Sequence, residues 1–189
     1  MRKFYKIYTL LCFLLPIHLI GQVNQPVLFK NGTFIPTAKS SFLLSKGINK
    51  DIFVSIQIGD QTSISAIAGE LNCVIQLLDK LDKRTYVVQI ASECLEKLIS
   101  SPHINSIFEI PGKYKIGSDV SNSGYKSKMR VKLCLYGIHD EESVAKLFPN
   151  VKVVERRSFD NKTYLIADTD LMTCETIAEK DFVQSIQLC

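Results

Sequence analysis

The 189-residue chain is 46% apolar and carries 23 Lys and Arg against 19 Asp and Glu. Three of those basic residues, Arg2, Lys3 and Lys6, lie in an N-terminal segment expected to be removed, which leaves 20 against 19, a net charge of +1. A near-neutral chain with no Lys/Arg stripe interleaved with aromatics is not built to bind nucleic acid.

In chain order, "MRKFYKIYTLLCFLLPIHLIGQ" sets Arg2, Lys3 and Lys6 ahead of an apolar run from Tyr8 to Ile20, with small Gly21 near a cleavage point. Residues 1–22 are thus expected to be a signal peptide, and the protein secreted or periplasmic. The run is shorter than the ~20 residues of a spanning helix and is broken by Pro16 and His18, so no membrane span is expected after cleavage. No cysteine follows it to take a lipid anchor. Cys12 leaves with the leader, and Cys73, Cys94, Cys134, Cys174 and Cys189 remain. Their spacings are irregular and contain no CxxC or His/Cys cluster, which argues against zinc and favours buried thiols over a disulfide framework.

Residues 23–50 form an N-terminal extension. Within it "VLFKNGTFIP" has an Asn31-Gly32 turn between apolar arms, a hairpin that either adds an edge to the first sheet or stays loose. Residues 51–111 then show an ordered change of periods. Val54, Ile56 and Ile58 alternate as in a strand; Ile64, Ile67 and Leu71 follow at helical spacing after Asp60, Thr62 and Ser63; two hairpin arms span Cys73 to Leu78 and Arg84 to Ile90. A helix with Cys94, Leu95 and Leu98 on one face precedes a last strand around Ile107. Residues 112–128, inside the Gly/Ser/Lys-rich stretch Pro111 to Lys128, carry neither apolar period and are expected to be a linker.

Residues 129–189 repeat the pattern. "CVIQLLDKLDKRTYVV" from Cys73 aligns without a gap on "VKVVERRSFDNKTYLI" from Val151 at an offset of 78, with Tyr86 on Tyr164. "VSIQI" meets "VKLCL" at offset 77, and "INSIFEI" meets "VQSIQLC" at offset 79. Helices start at Asp140, where the acids of "DEES" suit the first turn, and near Asp170. The expected fold is therefore α+β: two tandem ferredoxin-like βαββαβ domains, each a four-stranded antiparallel sheet with two helices on one face.

Strand alternation assigns the face away from the helices. It includes Phe53, Ser55, Gln57, Val74, Thr85 and Val87 in the first copy, and Cys134, Tyr136, Val154, Thr163 and Leu165 in the second. An open antiparallel face normally alternates to polar residues, so Phe53, Val87, Tyr136 and Leu165 are read as a partner-binding surface. A unit of ~60 residues is also marginal alone and gains by packing on something. Cys134 and Cys189 share outward parity on neighbouring strands and are the expected disulfide, whereas Cys73 is not expected to reach Cys94.

No catalytic constellation emerges. His103 and His139 lie outside any GxSxG, HExxH or Cys-His motif, and Asp140, Glu141 and Glu142 read as a helix start. The loops after the first strands, "GDQTS" and "GIHDEES", lack both the arginine of a small phosphate hydrolase and the paired thiols of a soft-metal carrier. The expectation is a non-enzyme with no cofactor and no metal.

"RTYVVQIASECLEKLISSPHINSIFEI", Arg84 to Ile110, resembles the propeptide (inhibitor) domains of subtilisin-like serine proteases: a strand from Val87 to Ile90, spaced Leu95 and Leu98, a turn at Pro102, then Ile104 and Ile107. "AGELNCVIQLLDK" is similar to the helix and strand that precede that half. The second copy, "LMTCETIAEKDFVQSIQLC", keeps the helix and the Val183-to-Ile186 spacing without the proline. The resemblance implies a sheet face packed on a protease, a trailing segment in its cleft, and inhibition or folding assistance. Without a protease domain after Cys189 such action would be in trans, and the first copy, which has a trailing segment from Pro111, is the one expected to reach a cleft. The alternative is a structural, adhesion or small-ligand-binding module whose two sheets pack on each other; the oligomeric state is left open.

Overall fold

A computed structural model describes residues 24–36, 51–124 and 127–189. The expected signal peptide and most of the extension lie outside the described residues. The hairpin expected near Asn31 forms from β1 (Val27–Phe29) and β2 (Gly32–Phe34). Phe29 pairs with Gly32, so the turn falls on Lys30 and Asn31, and Gly32 takes φ 135, a conformation side chains disfavour.

The first copy comprises β3 (Asp51–Ile58), α1 (Ile64–Leu71), β4 (Ile75–Lys80), β5 (Thr85–Ala91), α2 (Ser92–Ser100) and β6 (Ile104–Phe108). After two one-turn helices, α3 (Gly112–Lys115) and α4 (Ser118–Ser121), the second comprises β7 (Met129–Tyr136), α5 (Glu141–Leu147), β8 (Lys152–Phe159), β9 (Lys162–Thr169), α6 (Leu171–Ala178) and β10 (Val183–Leu188). The protein is α+β, with two four-stranded antiparallel sheets compatible with tandem domains. Their orders are β4-β5-β3-β6 and β10-β7-β9-β8, the same permutation of sequence order in each copy.

Short polar residues start the helices. The Ser63 hydroxyl accepts from the Ala66 amide (3.2 Å) at α1, Asp140 accepts from the Ser143 amide (2.7 Å) at α5, and Asp170 from the Thr173 amide (2.8 Å) at α6. These bonds satisfy amides that the helix leaves without partners. Hydrogen bonds from the Ser143 hydroxyl and amide hold the Asp140 carboxyl below the ordinary carboxylate value, and those from the Thr173 amide and hydroxyl do the same for Asp170.

Each sheet buries one face under its helices. In the first copy Val54, Ile56 and Ile58 of β3, Val88 and Ile90 of β5, and Ile104 and Ile107 of β6 pack with Ile67 of α1 and with Cys94, Leu95 and Leu98 of α2. In the second, Val131, Leu133 and Leu135 of β7, with Leu165 and Ala167 of β9, pack with Val144, Leu171, Cys174 and Ile177. The expected linker contributes to this second core: Ile116 and Val120 are buried in it, Ile116 bridges Ile186 in parallel, and the Gly117 amide donates to the Ile186 carbonyl (2.7 Å). Two apolar side chains are too few to show a period, yet they close the free edge of β10.

The gapless alignment of the repeat reverses one strand. Tyr86 pairs with inward Ile56, whereas Tyr164 pairs with outward Cys134, and Leu165 pairs with Leu133 in the core. The cause is the turn. In the first hairpin the Leu81 amide donates to the Thr85 carbonyl (2.9 Å) around Asp82-Lys83-Arg84; in the second, Phe159 pairs with Lys162 around Asp160-Asn161, both at positive φ (50 and 55). Loops of three and two residues displace the returning strand by one position, and one position turns every side chain to the other face.

Candidate protein-binding face

Of the four residues expected to form a partner surface, three lie at the junction of the copies and one in a core. Val87 is only 3% exposed. Phe53 is half-buried and lies nearly parallel to Tyr136 of the second copy, ring centroids 6.5 Å apart. Leu165 is fully buried on the helix side of the second sheet, which corrects its outward assignment: the shorter second turn reverses the face.

The outer face of the first sheet is covered from two directions. The hairpin lies over one half: Val27 is fully buried, Phe34 packs on Phe108 (centroids 5.2 Å), and Phe29 and Phe34 both meet Tyr114. Polar residues beneath it are satisfied. The Gln57 amide donates to the Gln25 carbonyl (2.7 Å) and to Thr85 (3.2 Å), and Ser106 donates to Gln57 (3.1 Å). The second copy covers the other half, leaving a cavity of only about 10 Å³ between Phe53, Ser55 and Val87 on one side and Tyr136, Asp181 and Val183 on the other.

Asp79 of β4 ties the junction. Its carboxylate accepts hydrogen bonds from the Tyr136 hydroxyl (3.4 Å) and the Gln184 amide, and lies 3.6 Å from the Lys162 ammonium. Burial, with Asp79 adjacent, pushes the Tyr136 phenol well above its ordinary value, so it remains a neutral donor. Beside this cluster a groove of about 570 Å³ runs between Lys30 and Asn31 of the hairpin, the Tyr114–Asp119 segment, and Gln184 to Leu188 of β10.

The second sheet is covered by the first copy around Tyr136, Gln184 and Lys162, and the rest of its outer face is open among the described residues. Register places Arg130, Lys132, Cys134 and Tyr136 of β7, Lys162, Tyr164, Ile166 and Asp168 of β9, and Lys152, Glu155, Arg157 and Phe159 of β8 on that side. Phe159 is 55% exposed and lies parallel to Tyr164, with centroids 4.5 Å apart, and the Lys132 ammonium is 5.5 Å from the Tyr164 ring. With Ile166, Glu155 and Arg157 they enclose a shallow concavity of about 280 Å³. An exposed ring stacked on a half-buried one, with charged side chains around them, has the anatomy of a protein-contact patch. None of Phe159, Tyr164 and Ile166 was among the residues expected; the signal was the Asp160-Asn161 pair, whose two-residue turn differs from Asp82-Lys83-Arg84.

The cysteines also depart from expectation. Cys134 and Cys189 are both free: the Cys189 amide donates to the Arg130 carbonyl, which puts it four residues from Cys134 along β7, about 13 Å at the rise of a strand and beyond disulfide reach. The buried Cys134 thiol donates instead to the Gln184 side chain (2.7 Å), and burial raises its pKa. Cys73 and Cys94 are bonded, with Cα atoms 5.9 Å apart. Cys73 precedes β4 rather than starting it, following the left-handed Asn72 (φ 47) at the end of α1, and α1 packs beside α2.

His103 lies 3.2 Å from Glu70, and the His139 ring contacts the Tyr136 carbonyl (2.9 Å) and Phe182. Among the described residues no group of three or more His, Cys, Asp and Glu side chains is placed to hold a metal ion, and no helix is long and apolar enough to cross a membrane. No family model, curated protein or solved structure matches the chain.

Proposed function

We propose that this chain is an exported, non-enzymatic protein-binding module made of two ferredoxin-like βαββαβ units, of which the second presents the binding face. The shared strand order, last-first-third-second, supports the ferredoxin-like reading, since a split βαβ unit places its strands this way. The observation that carries the function is the asymmetry of the outer faces: the first is occupied by the hairpin and Tyr136, while the second leaves Phe159, Tyr164 and Ile166 available. The covered first face moves the proposed contact away from the copy containing Tyr86.

The resemblance to subtilase propeptides names the partner class, a subtilisin-like protease bound in trans, with inhibition or folding assistance as the consequence. The test is to mix the purified chain with a panel of subtilisin-like proteases and follow complex formation and peptide hydrolysis. Binding that Phe159→Ser and Tyr164→Ser abolish without unfolding the protein is the expected result; no complex with any protease removes this partner class. The junction groove of about 570 Å³ favours a second reading, a small polar ligand held between the copies. A ligand whose binding is abolished in Lys30→Ala and retained in Phe159→Ser would select it.

A further inference from the structure

The charge on the open face identifies its partner more closely. Around the rings stand Arg130, Lys132, Lys152 and Arg157 against Glu155, Asp168 and, in the turn beside Phe159, Asp160. Glu155 and Asp168 are engaged. Asp168 accepts two hydrogen bonds from Arg130 (2.7 and 3.0 Å), and Glu155 pairs with Arg157. Among the described residues this leaves exposed Lys132 and Lys152 without a carboxylate at ion-pair distance, on either side of β9. The nearby Lys162 is directed to Asp79 and does not enter the balance.

The first sheet shows what such a face accepts. Its cover is an extended β-segment that inserts Val27 and Phe34 and offers the Gln25 carbonyl to the Gln57 amide. On the second sheet Cys134 and Ser185 stand where the first has Gln57 and Ser106, and the part left open offers two rings, Phe159 and Tyr164, with two exposed lysines, Lys132 and Lys152. The free edge of β8 is disfavoured as the contact: a bulge between Val153 and Glu155 and the charges of Lys152, Arg156 and Arg157 are features that prevent strand addition. That leaves the face.

We propose that the outer face of the second sheet binds an extended, acidic segment of a partner protein, with an apolar side chain of that segment in the concavity over Phe159, Tyr164 and Ile166 and its carboxylates on Lys132 and Lys152. This inference rests on the reading that the second face binds a protein. Rim charges of this kind set association rate and partner choice, while the aromatic floor sets residence time.

The probe is a labelled peptide alternating Glu with Val around one central Phe, compared with the same peptide carrying Lys for Glu, by fluorescence anisotropy on the full chain purified after expression with its own leader. The acidic peptide should bind at least about tenfold more tightly, weaken with added salt, and lose roughly tenfold in the Lys132→Glu/Lys152→Glu variant. Phe159→Ser should abolish binding, and Lys180→Glu, on the helix side, should not change it. Equal or tighter binding of the Lys peptide, or an unchanged affinity in the double variant, overturns the inference. So does a concentration-dependent dimer that Phe159→Ser abolishes, which assigns the face to a second copy, or binding of dextran sulfate in place of the peptide. Protease capture that depends on Phe159 but not on Lys132 or Lys152 would sink this inference and leave the proposed function standing.

Discussion

Tyr164 and Leu165 are chain neighbours on opposite faces of β9, one above an open surface and the other in the helix-packed core. Their substitutions should separate accordingly. Leu165→Ala is expected to cost about 2–5 kcal/mol, because the site is closed by Leu133 and helical residues and cannot collapse fully. Tyr164→Ala should cost no more than about 1 kcal/mol while removing the stacking partner of Phe159. Chemical denaturation of the two variants decides between this register and the gapless repeat, which predicts the reverse. Most inward residues were legible in the alternation itself: Val54, Ile56 and Ile58 reach the core they were read into. Leu165 was not, because strand alternation has a period of two and gives no phase once the length of the preceding turn is misjudged.

At the scale of elements, the disulfide joins the end of α1 to α2 across a separation of 21 residues. Closing a loop of that length restricts the unfolded chain by about 3 kcal/mol. Urea denaturation with and without reductant should show a loss of that order in the wild-type chain and none in a Cys73→Ala/Cys94→Ala variant, whose stability should match the reduced protein. Equal stability before and after reduction would contradict the bond. The pairing was hidden because Cys73 reads as the first residue of an alternating run, whereas the left-handed turn at Asn72 holds it beside the helices, where its amide donates to the Ala68 carbonyl. The segment Pro111 to Lys128 was hidden for another reason. The two short helices of residues 112–121 are held by Ile116, Val120 and the backbone of β10, contacts distant in sequence that local composition does not report.

For the whole molecule, the arrangement of the copies depends on a polar tie set into an aromatic contact. Asp79→Ala removes the acceptor shared by Tyr136, Gln184 and Lys162, and leaving such partly buried donors without an acceptor is expected to cost about 1–3 kcal/mol. Calorimetry should then show a single thermal transition broadening or dividing in two as the Phe53 and Tyr136 rings separate and the copies uncouple. An unchanged transition would mean that the hairpin and the apolar contact hold the copies without Asp79. The same arrangement explains why two similar units differ in availability: the hairpin and the second copy together cover the first sheet, whereas the first copy covers the second sheet only around Tyr136, Gln184 and Lys162.

The sequence by itself determined the α+β class, the order of strands and helices within each copy, helix starts after the run Asp60 to Ser63, at Asp140 and near Asp170, and most of both cores, because periodicity and capping act over a few residues. Tertiary structure alone decided which outer face is closed, which cysteines bond, and that exposed Phe159 stacks on Tyr164. Those outcomes depend on one-residue differences in turn length and on contacts between segments tens of residues apart, where the chain carries no local pattern to read.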